Sequence, residues 1–308
     1  MTVSAVVVTW NSADVLAGLL GSLRAGFEGV DWRLTVVDNA SADATVALAE
    51  DWLRHDGSGV AGRVLQTGRN AGYAAAINAA LATDEPSAAT LVLNPDIRLA
   101  PGCVRAMLEI LAADAQPRTG IVVPRIRDAH GALYRSLRRE PSLPRALGEA
   151  VLGRHAARVG LGETVGDEAA YQATTTVDWA TGAVMLIGGD CRAACGPWDE
   201  SFFLYSEETE FALRAKDRGY ATRLAPEAEA VHLGGESRTS GRLWALLTVN
   251  RVRLYRRRHA WPMAALFWLA VLLREAPRAA LGRAPNRTAV AALLRLRPVP
   301  TAATADAD

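Results

Sequence analysis

The sequence is short of what would staple it or thread it through a bilayer. Only three cysteines occur in 308 residues, Cys103, Cys191 and Cys195. An odd number in no CxxC spacing offers neither a zinc motif nor a disulfide framework. Buried small hydrophobes in a reducing compartment are expected instead. The longest strongly apolar run without charge, Trp261 to Leu273, has 13 residues, against about 17–25 for a spanning helix. No transmembrane helix is therefore expected. Met1-Thr2-Val3-Ser4 carries no positive charge, so no secretory leader is expected either.

What is present is the balance of a globular chain, half hydrophobic and 22% charged, with 26 Gly and 14 Pro. That balance disfavours a disordered, collagen-like or multi-span membrane protein. The length suits one large domain or a domain with an appendage. The net charge of +1 conceals an asymmetry. Residues 1–235 hold 21 Lys and Arg against 29 Asp and Glu, and residues 236–308 hold 13 against 4. A first part near −8 thus precedes a basic part near +9, which points to an anionic partner surface.

Strand and helix patterns alternate along the chain. Val3 to Thr9 is a continuous apolar run suited to a strand buried on both faces, with Ser12 as an N-cap for a helix that Gly26 can stop. Further strands are read at Leu34–Val37, Arg63–Gln66, Thr90–Leu93 and Ile121–Val123. Helices are read at Ala42–Leu53, Tyr73–Leu81, Gly102–Ala113 with Pro101 opening it, and Glu207–Asp217 closed by Gly219. Val177 to Ile187 is a later apolar run and Ala228–His232 a short strand. The fold class is α/β, a mostly parallel sheet flanked by helices with a C-terminal basic helical appendage. Residues 138–176 are the least patterned, and 299–308 read as a loose tail.

Ligands of such sheets lie beyond the carboxyl ends of the strands. The residues there are polar: Thr9-Trp10-Asn11, Asp38-Asn39-Ala40-Ser41, the loop Gly68 to Tyr73, and Asn94-Pro95-Asp96. Asp38 has two readings from spacing alone, a ligand contact or a cap on the helix from Ala42. A lone His such as His232 is by default structural, and an acidic cluster such as Glu207-Glu208-Thr209-Glu210 by default complements a helix dipole.

The segments VVVTWNS (6–12), VVDNASAD (36–43), GRNAGYAAAIN (68–78), VLNPD (92–96), WATGAVMLI (179–187), PWDESFFLYSEETEFALRAKDRGY (197–220) and VHLGG (231–235) together resemble inverting glycosyltransferase family 2. Within it the chain is most similar to bacterial cell-envelope rhamnosyltransferases that use lipid-linked acceptors. The resemblance implies a GT-A fold, with a nucleotide-sugar half over about 1–125 and an acceptor half over about 126–235. It implies a pyrimidine pocket of Asp38, Thr9 and Asn11, with Trp10, Asn39 and Ser41 also among the residues that bind the nucleotide sugar. Arg69, Asn70, Gly72, Tyr73, Asn78 and Asn94 fall beside the diphosphate and sugar, although Gly72 also reads as backbone freedom alone. Asp96 and His232 fall on the residues that approach a divalent cation, Mg or Mn. Asn94 replaces the first acid of the family's D-x-D.

The family's acidic pair, usually Glu-Asp with the second as general base, falls on Glu207 and Glu208. Glu210 lies close by in support, and like-charge repulsion between the pair would raise the pKa of Glu208. Trp179, Thr181, Gly182, Trp198 and Asp199 fall on the acceptor side, with Trp179 equally readable as core. The donor implied is dTDP-rhamnose, the acceptor a polyprenyl-diphosphate-linked glycan, and the product part of a cell-envelope polysaccharide.

Two other classes stay open. A sugar-nucleotide pyrophosphorylase would need a Gly-rich loop after the first strand, where Thr9-Trp10-Asn11-Ser12 offers none. A non-catalytic nucleotide-sugar-binding protein would keep Asp38 without needing Glu208. For residues 236–298, Arg251, Arg253, Arg256, Arg257 and Arg258 precede the Trp261–Leu273 run, and Arg274, Arg278, Arg283 and Arg287 follow it. The pattern reads as an interfacial anchor on anionic lipid at the cytoplasmic face. The alternative is a helical hairpin packed on the catalytic part with a solvated Arg face. Nucleic acid is disfavoured for want of a motif, and the oligomeric state is not legible.

Overall fold

The structure is a computed structural model that describes residues 2–57, 59–234 and 240–295. The tail at 299–308, Gly235 of the last motif, and the ends of the 236–298 segment lie outside the described residues. The first half runs β1 (Val3–Thr9), α1 (Ala13–Gly26), β2 (Trp32–Asp38), α2 (Thr45–Arg54), β3 (Ala61–Gln66), α3 (Tyr73–Ala82), β4 (Ala89–Leu93), β5 (Ile97–Leu99), α4 (Cys103–Ala112) and β6 (Arg118–Asp128). The second runs β7 (Leu137–Arg138), α5 (Leu143–Leu152), β8 (Thr176–Val177), β9 (Trp179–Ala180), β10 (Val184–Gly188), α6 (Gly189–Cys195), α7 (Glu207–Asp217), β11 (Tyr220–His232), α8 (Gly241–Arg258), α9 (Trp261–Ala280) and α10 (Ala284–Arg295).

The main sheet has the order β3-β2-β1-β4-β10-β6-β11-β5. Strands β3, β2, β1 and β4 are parallel, so their carboxyl ends share one edge. β10 then enters antiparallel to β4, with Val184 opposite Leu93. That reversal matters for the site, because it brings the residues leading into β10 to the edge where the parallel strands end. β1 explains its own composition. Val3, Ala5 and Val7 pack with α1 and α4, while Val6 and Val8 pack with α3 on the opposite face. A strand covered on both sides needs a continuous apolar run.

Several local expectations shift. α2 begins at Thr45 rather than Ala42, because the preceding loop is tied to Asn11. Gly26 is the last residue of α1 and serves close packing: a Cβ there would lie 2.6 Å from Leu99 Cβ. Pro101 falls in a turn, and α4 starts at Cys103 after Gly102 at φ +69°. β11 extends the short strand expected at Ala228 back to Tyr220. All three cysteines are buried thiols, as expected.

Three arginines of α8 pair with protein acids. Arg251 sits between Glu149 (2.9 Å) and Glu163, Arg257 pairs with Asp199, and Arg258 bonds Asp217 through two nitrogens at 2.8 and 2.9 Å. The helix is therefore packed on the preceding part of the chain by these charges, rather than turning a solvated Arg face outward. Of the five arginines read as lipid-facing, Arg256 is an exposed one without an ion pair among the described residues. α9 differs. It buries Ala264, Phe267, Ala270 and Val271 against α5 and α8, and exposes Trp261, Met263, Leu266, Leu269 and Leu273. No described helix is long and apolar enough to cross a membrane.

Candidate active site

The loops after β1 and β2 are locked together. Asn11, at φ +46°, donates its backbone N–H to Ser41 Oγ (2.8 Å), and its Oδ1 accepts from the Ala42 amide (2.8 Å). Asp38 ends β2 with its carboxylate buried. Oδ1 accepts from the hydroxyls of Thr9 (2.9 Å) and Ser41, and Oδ2 accepts from the Ser41 amide at 2.8 Å. Three donors on a group with about four lone-pair sites leave one on Oδ2 for a ligand N–H. Asp38 caps the tight turn at Ser41; it does not cap α2. Trp10 is 49% exposed beside this turn.

The loop after β3 is held from within. The Asn39 amide donates to Gly72 O (3.2 Å) and its Oδ1 accepts from Thr67, while Asn70 Oδ1 accepts from the Gly72 N–H. Arg69 points outward and is exposed. Tyr73 opens α3 and bridges three segments: its N–H donates to Phe203 O (2.9 Å), and its hydroxyl to Asn94 Oδ1 (2.8 Å) and Gly182 O (3.3 Å). Burial, then the charges of Glu207, Glu208 and Asp96, push this phenol well above its usual range, so it stays a donor.

Asp96 and His232 lie on adjoining strand ends, with Ile97 opposite His232 in the β5–β11 pairing. Asp96 Oδ2 is 3.1 Å from His232 Nε2 and accepts from the Gly234 amide at 3.1 Å. Burial pushes the Asp96 carboxyl up. The His232 hydrogen bond and charge, with the Gly234 N–H, more than offset this and hold it below the usual range. A carboxylate oxygen and an imidazole nitrogen converging on one point suit a Mg or Mn ion. No third His, Cys, Asp or Glu joins them among the described residues. Diphosphate and water oxygens would have to complete such a shell. Asn94, whose Oδ1 already accepts from Tyr73, adds no charge to it.

Glu207 and Glu208 open α7 after two consecutive non-glycine residues in the left-handed region, Tyr205 (φ +67°) and Ser206 (φ +76°). Such residues cost of order 1–3 kcal/mol each and persist only where the surroundings enforce them. Oε2 of Glu207 and Oε2 of Glu208 are both buried without a partner among the described residues. Glu208 lies against Gly182, where an added Cβ would be 3.1 Å from its own Cβ. Burial pushes the Glu207 carboxyl well up, and Glu208 pushes it further. The Glu208 carboxyl is also raised, by burial first, against the pull of backbone amides and of Arg138. Desolvation, more than repulsion from its neighbour, therefore lifts Glu208. Glu210 pairs with Arg214 at 2.8 Å on the same helix.

Of the residues expected on the acceptor side, Gly182 lies against Glu208, and Thr181 Oγ1 is a buried hydroxyl without a partner among the described residues. Trp179 bonds Arg139 O through Nε1 (3.0 Å) and lies under Arg138 at 5.9 Å. Trp198 is buried and stacked on Phe211, and Asp199 is engaged by Ser201 and Arg257. Asn78 spends its amide on Trp198 N and O and on Glu200. These three brace the segment before α7 from behind. Arg138 is the residue that sequence reasoning missed. It lies on the β7–β9 ribbon, bonds only backbone carbonyls among the described residues, and has no carboxylate partner there. Nothing in its local pattern singles it out among neighbouring arginines.

Residues 4–171 match the family described as Glycosyl transferase family 2. The chain is 31% identical over 237 residues to the N-acetylglucosaminyl-diphospho-decaprenol L-rhamnosyltransferase of Mycobacterium tuberculosis, with 74% of each chain covered. Two solved structures are similar at lower identity. One is the mannosyltransferase PcManGT from Pyrobaculum calidifontis in complex with GDP-Man and Mn2+, with TM-score 0.59, 16% identity, and 96% of this chain and 84% of that one covered. The other is GalNAc-T7 with UDP, GalNAc and Mn2+, with TM-score 0.58 and 14% identity. The match covers 82% of this chain and about half, 47%, of GalNAc-T7.

Proposed function

The chain belongs to glycosyl transferase family 2 and has the GT-A fold, and from that premise we propose that it is an inverting transferase that moves L-rhamnose from dTDP-rhamnose to a hydroxyl of a polyprenyl-diphosphate-linked glycan in cell-envelope polysaccharide synthesis. The transferred L-rhamnosyl group and the polyprenyl-diphosphate acceptor follow the name of the relative that is 31% identical. We take residues 1–235 as the catalytic unit, divided near residue 125 into donor and acceptor halves.

The observation that carries the reading is the bare, buried Oε2 of Glu208 held against Gly182 at the strand edge where the Asp96–His232 pair also lies. Asp38 keeps one lone pair for the pyrimidine N3–H, and Trp10 offers a face to the base. Arg69 and Tyr73 flank the diphosphate and sugar. Asp96 and His232 would hold the divalent cation, which supplies charge neutralisation at the leaving diphosphate. Glu208 accepts the acceptor hydroxyl proton as the oxygen bonds the anomeric carbon from the face opposite the diphosphate. The bond from that carbon to the diphosphate oxygen breaks, and the nucleoside diphosphate leaves. One displacement inverts the centre. A carboxyl lifted by burial is a better base for this task than an exposed one. Arg138, over Trp179 and near Glu208, is suited to an anionic group of the acceptor.

A lipid-linked acceptor requires contact with a membrane surface. With Arg251, Arg257 and Arg258 of α8 committed to protein acids, we assign that contact to the exposed apolar row of α9, from Trp261 to Leu273, and the exposed Arg283 and Arg287 beyond it. Calorimetry with dTDP-rhamnose, UDP-glucose, GDP-mannose and NAD tests the donor. The reading expects dTDP-rhamnose to bind most tightly, and a purine preference would overturn the pyrimidine pocket.

A further inference from the structure

The turn ahead of α7 is held from a helix more than forty residues further along the chain. Asn250, wholly buried in α8, donates one amide to two carbonyls, Leu204 O at 2.9 Å and Tyr205 O at 3.1 Å. Those carbonyls belong to the peptides at the left-handed pair Tyr205 and Ser206. A buried amide in a helix interior is costly unless its N–H groups are satisfied, and here the acceptors are this turn. The rest of the α8 grip falls earlier in the same segment. Arg253 donates to Ser201 O (2.8 Å), Arg257 pairs with Asp199, both guanidinium groups lie over the Phe202 ring at 5.5 and 4.7 Å, and Leu254 packs with Phe202 and Leu213.

We propose that Asn250 is a positioning residue for the transfer reaction: its amide enforces the left-handed turn that aims the first turn of α7, and with it Glu208, at the acceptor hydroxyl. The inference rests on Glu208 being the general base. Without the two donors, Tyr205 and Ser206 relax toward right-handed backbone, the start of α7 rotates, and Glu208 leaves its place against Gly182. The contacts at Asp199, Ser201 and Phe202 still dock the segment, so the helix stays in place while its aim is lost. A displacement of about 1 Å in a reacting group can cost on the order of 10²-fold in rate.

Steady-state turnover and donor affinity of the full-length chain with Asn250→Ala, Asn250→Asp, Thr248→Val, Glu208→Gln and the Glu208→Gln/Asn250→Ala pair test it. Asn250→Ala and the isosteric Asn250→Asp, whose carboxylate cannot donate, are expected to lower kcat about 30- to 100-fold with donor affinity within about twofold. Thr248→Val, two residues away on α8 and removing a part-buried hydroxyl bond to Trp244 O, is expected to keep wild-type kcat. In the Glu208→Gln background, Asn250→Ala is expected to change the residual rate less than about threefold, because a residue acting through the base has nothing left to aim. Asn250→Ser, which keeps one donor, is expected to fall between wild type and Ala, and it decides the matter if the Ala variant does not fold. The inference is overturned if kcat of Asn250→Ala, or of Asn250→Ser where that substitutes, stays within threefold of wild type while Glu208→Gln collapses, or if the two losses multiply fully in the double variant. An unimpaired Glu208→Gln overturns the base assignment itself, and the positioning role with it.

Discussion

The carbonyl oxygen of Phe203 occupies the space that a side chain at Gly72 would need: a Cβ there would lie 2.3 Å from it. This contact joins the donor loop to the segment carrying the acidic pair, and Tyr73 seals it by donating its N–H to the same oxygen. Gly72 also stands at φ +94°, where only glycine is comfortable.

Gly72→Ala is therefore expected to part the two loops. Thermal unfolding should show a loss of about 2 kcal/mol or more, from backbone strain and a clash with main chain. Turnover should fall further than stability alone explains. A variant with wild-type melting and rate would remove the contact from the account.

The metal reading predicts that excess chelator abolishes turnover and that Mn2+ or Mg2+ restores it. Asp96→Asn keeps the shape and removes the charge, so it should need a higher cation concentration for half-maximal rate. Full activity in excess chelator would mark Asn94 as the sign of a metal-independent enzyme.

Glu207 and stability are linked through pH. Its folded-state carboxyl is raised by burial, so above the ordinary Glu range the unfolded chain ionises while the folded chain does not, and stability falls as pH rises. Glu207→Gln should melt higher than wild type near pH 7.5, and the gain should vanish near pH 4. An unchanged difference across that range would contradict the buried neutral carboxyl.

The membrane assignment separates two helices by experiment. Replacing Leu266, Leu269 and Leu273 with Ser should abolish co-flotation with phosphatidylglycerol vesicles, and binding by the wild type should weaken with salt. Arg257→Ala should leave flotation unchanged. The reverse result would return the contact to α8.

The parts legible in the sequence are those set by local pattern. β1 and α7 coincide with their expected bounds because a two-sided apolar run and an acidic first turn ending at Gly219 act within a few residues. β5, three residues long, is too short to leave a pattern. The start of α2 moved because Ala42 bonds Asn11, 31 residues earlier. The arginines of α8 looked lipid-facing because composition cannot name their acids, and Glu149, Glu163, Asp199 and Asp217 lie 41 to 102 residues away. Asn250 carried no signal for the same reason, since its acceptors are main-chain carbonyls.

The most direct test of the account is Glu208→Gln, measured for turnover and for donor affinity beside Glu207→Gln and Glu210→Gln. Loss of a positioned general base typically costs about 10²–10⁴ in rate, so Glu208→Gln should lose turnover on that scale while donor affinity stays near wild type, with the other two variants milder. Turnover within a few-fold of wild type for Glu208→Gln, with collapse of Glu207→Gln or Glu210→Gln, would contradict it.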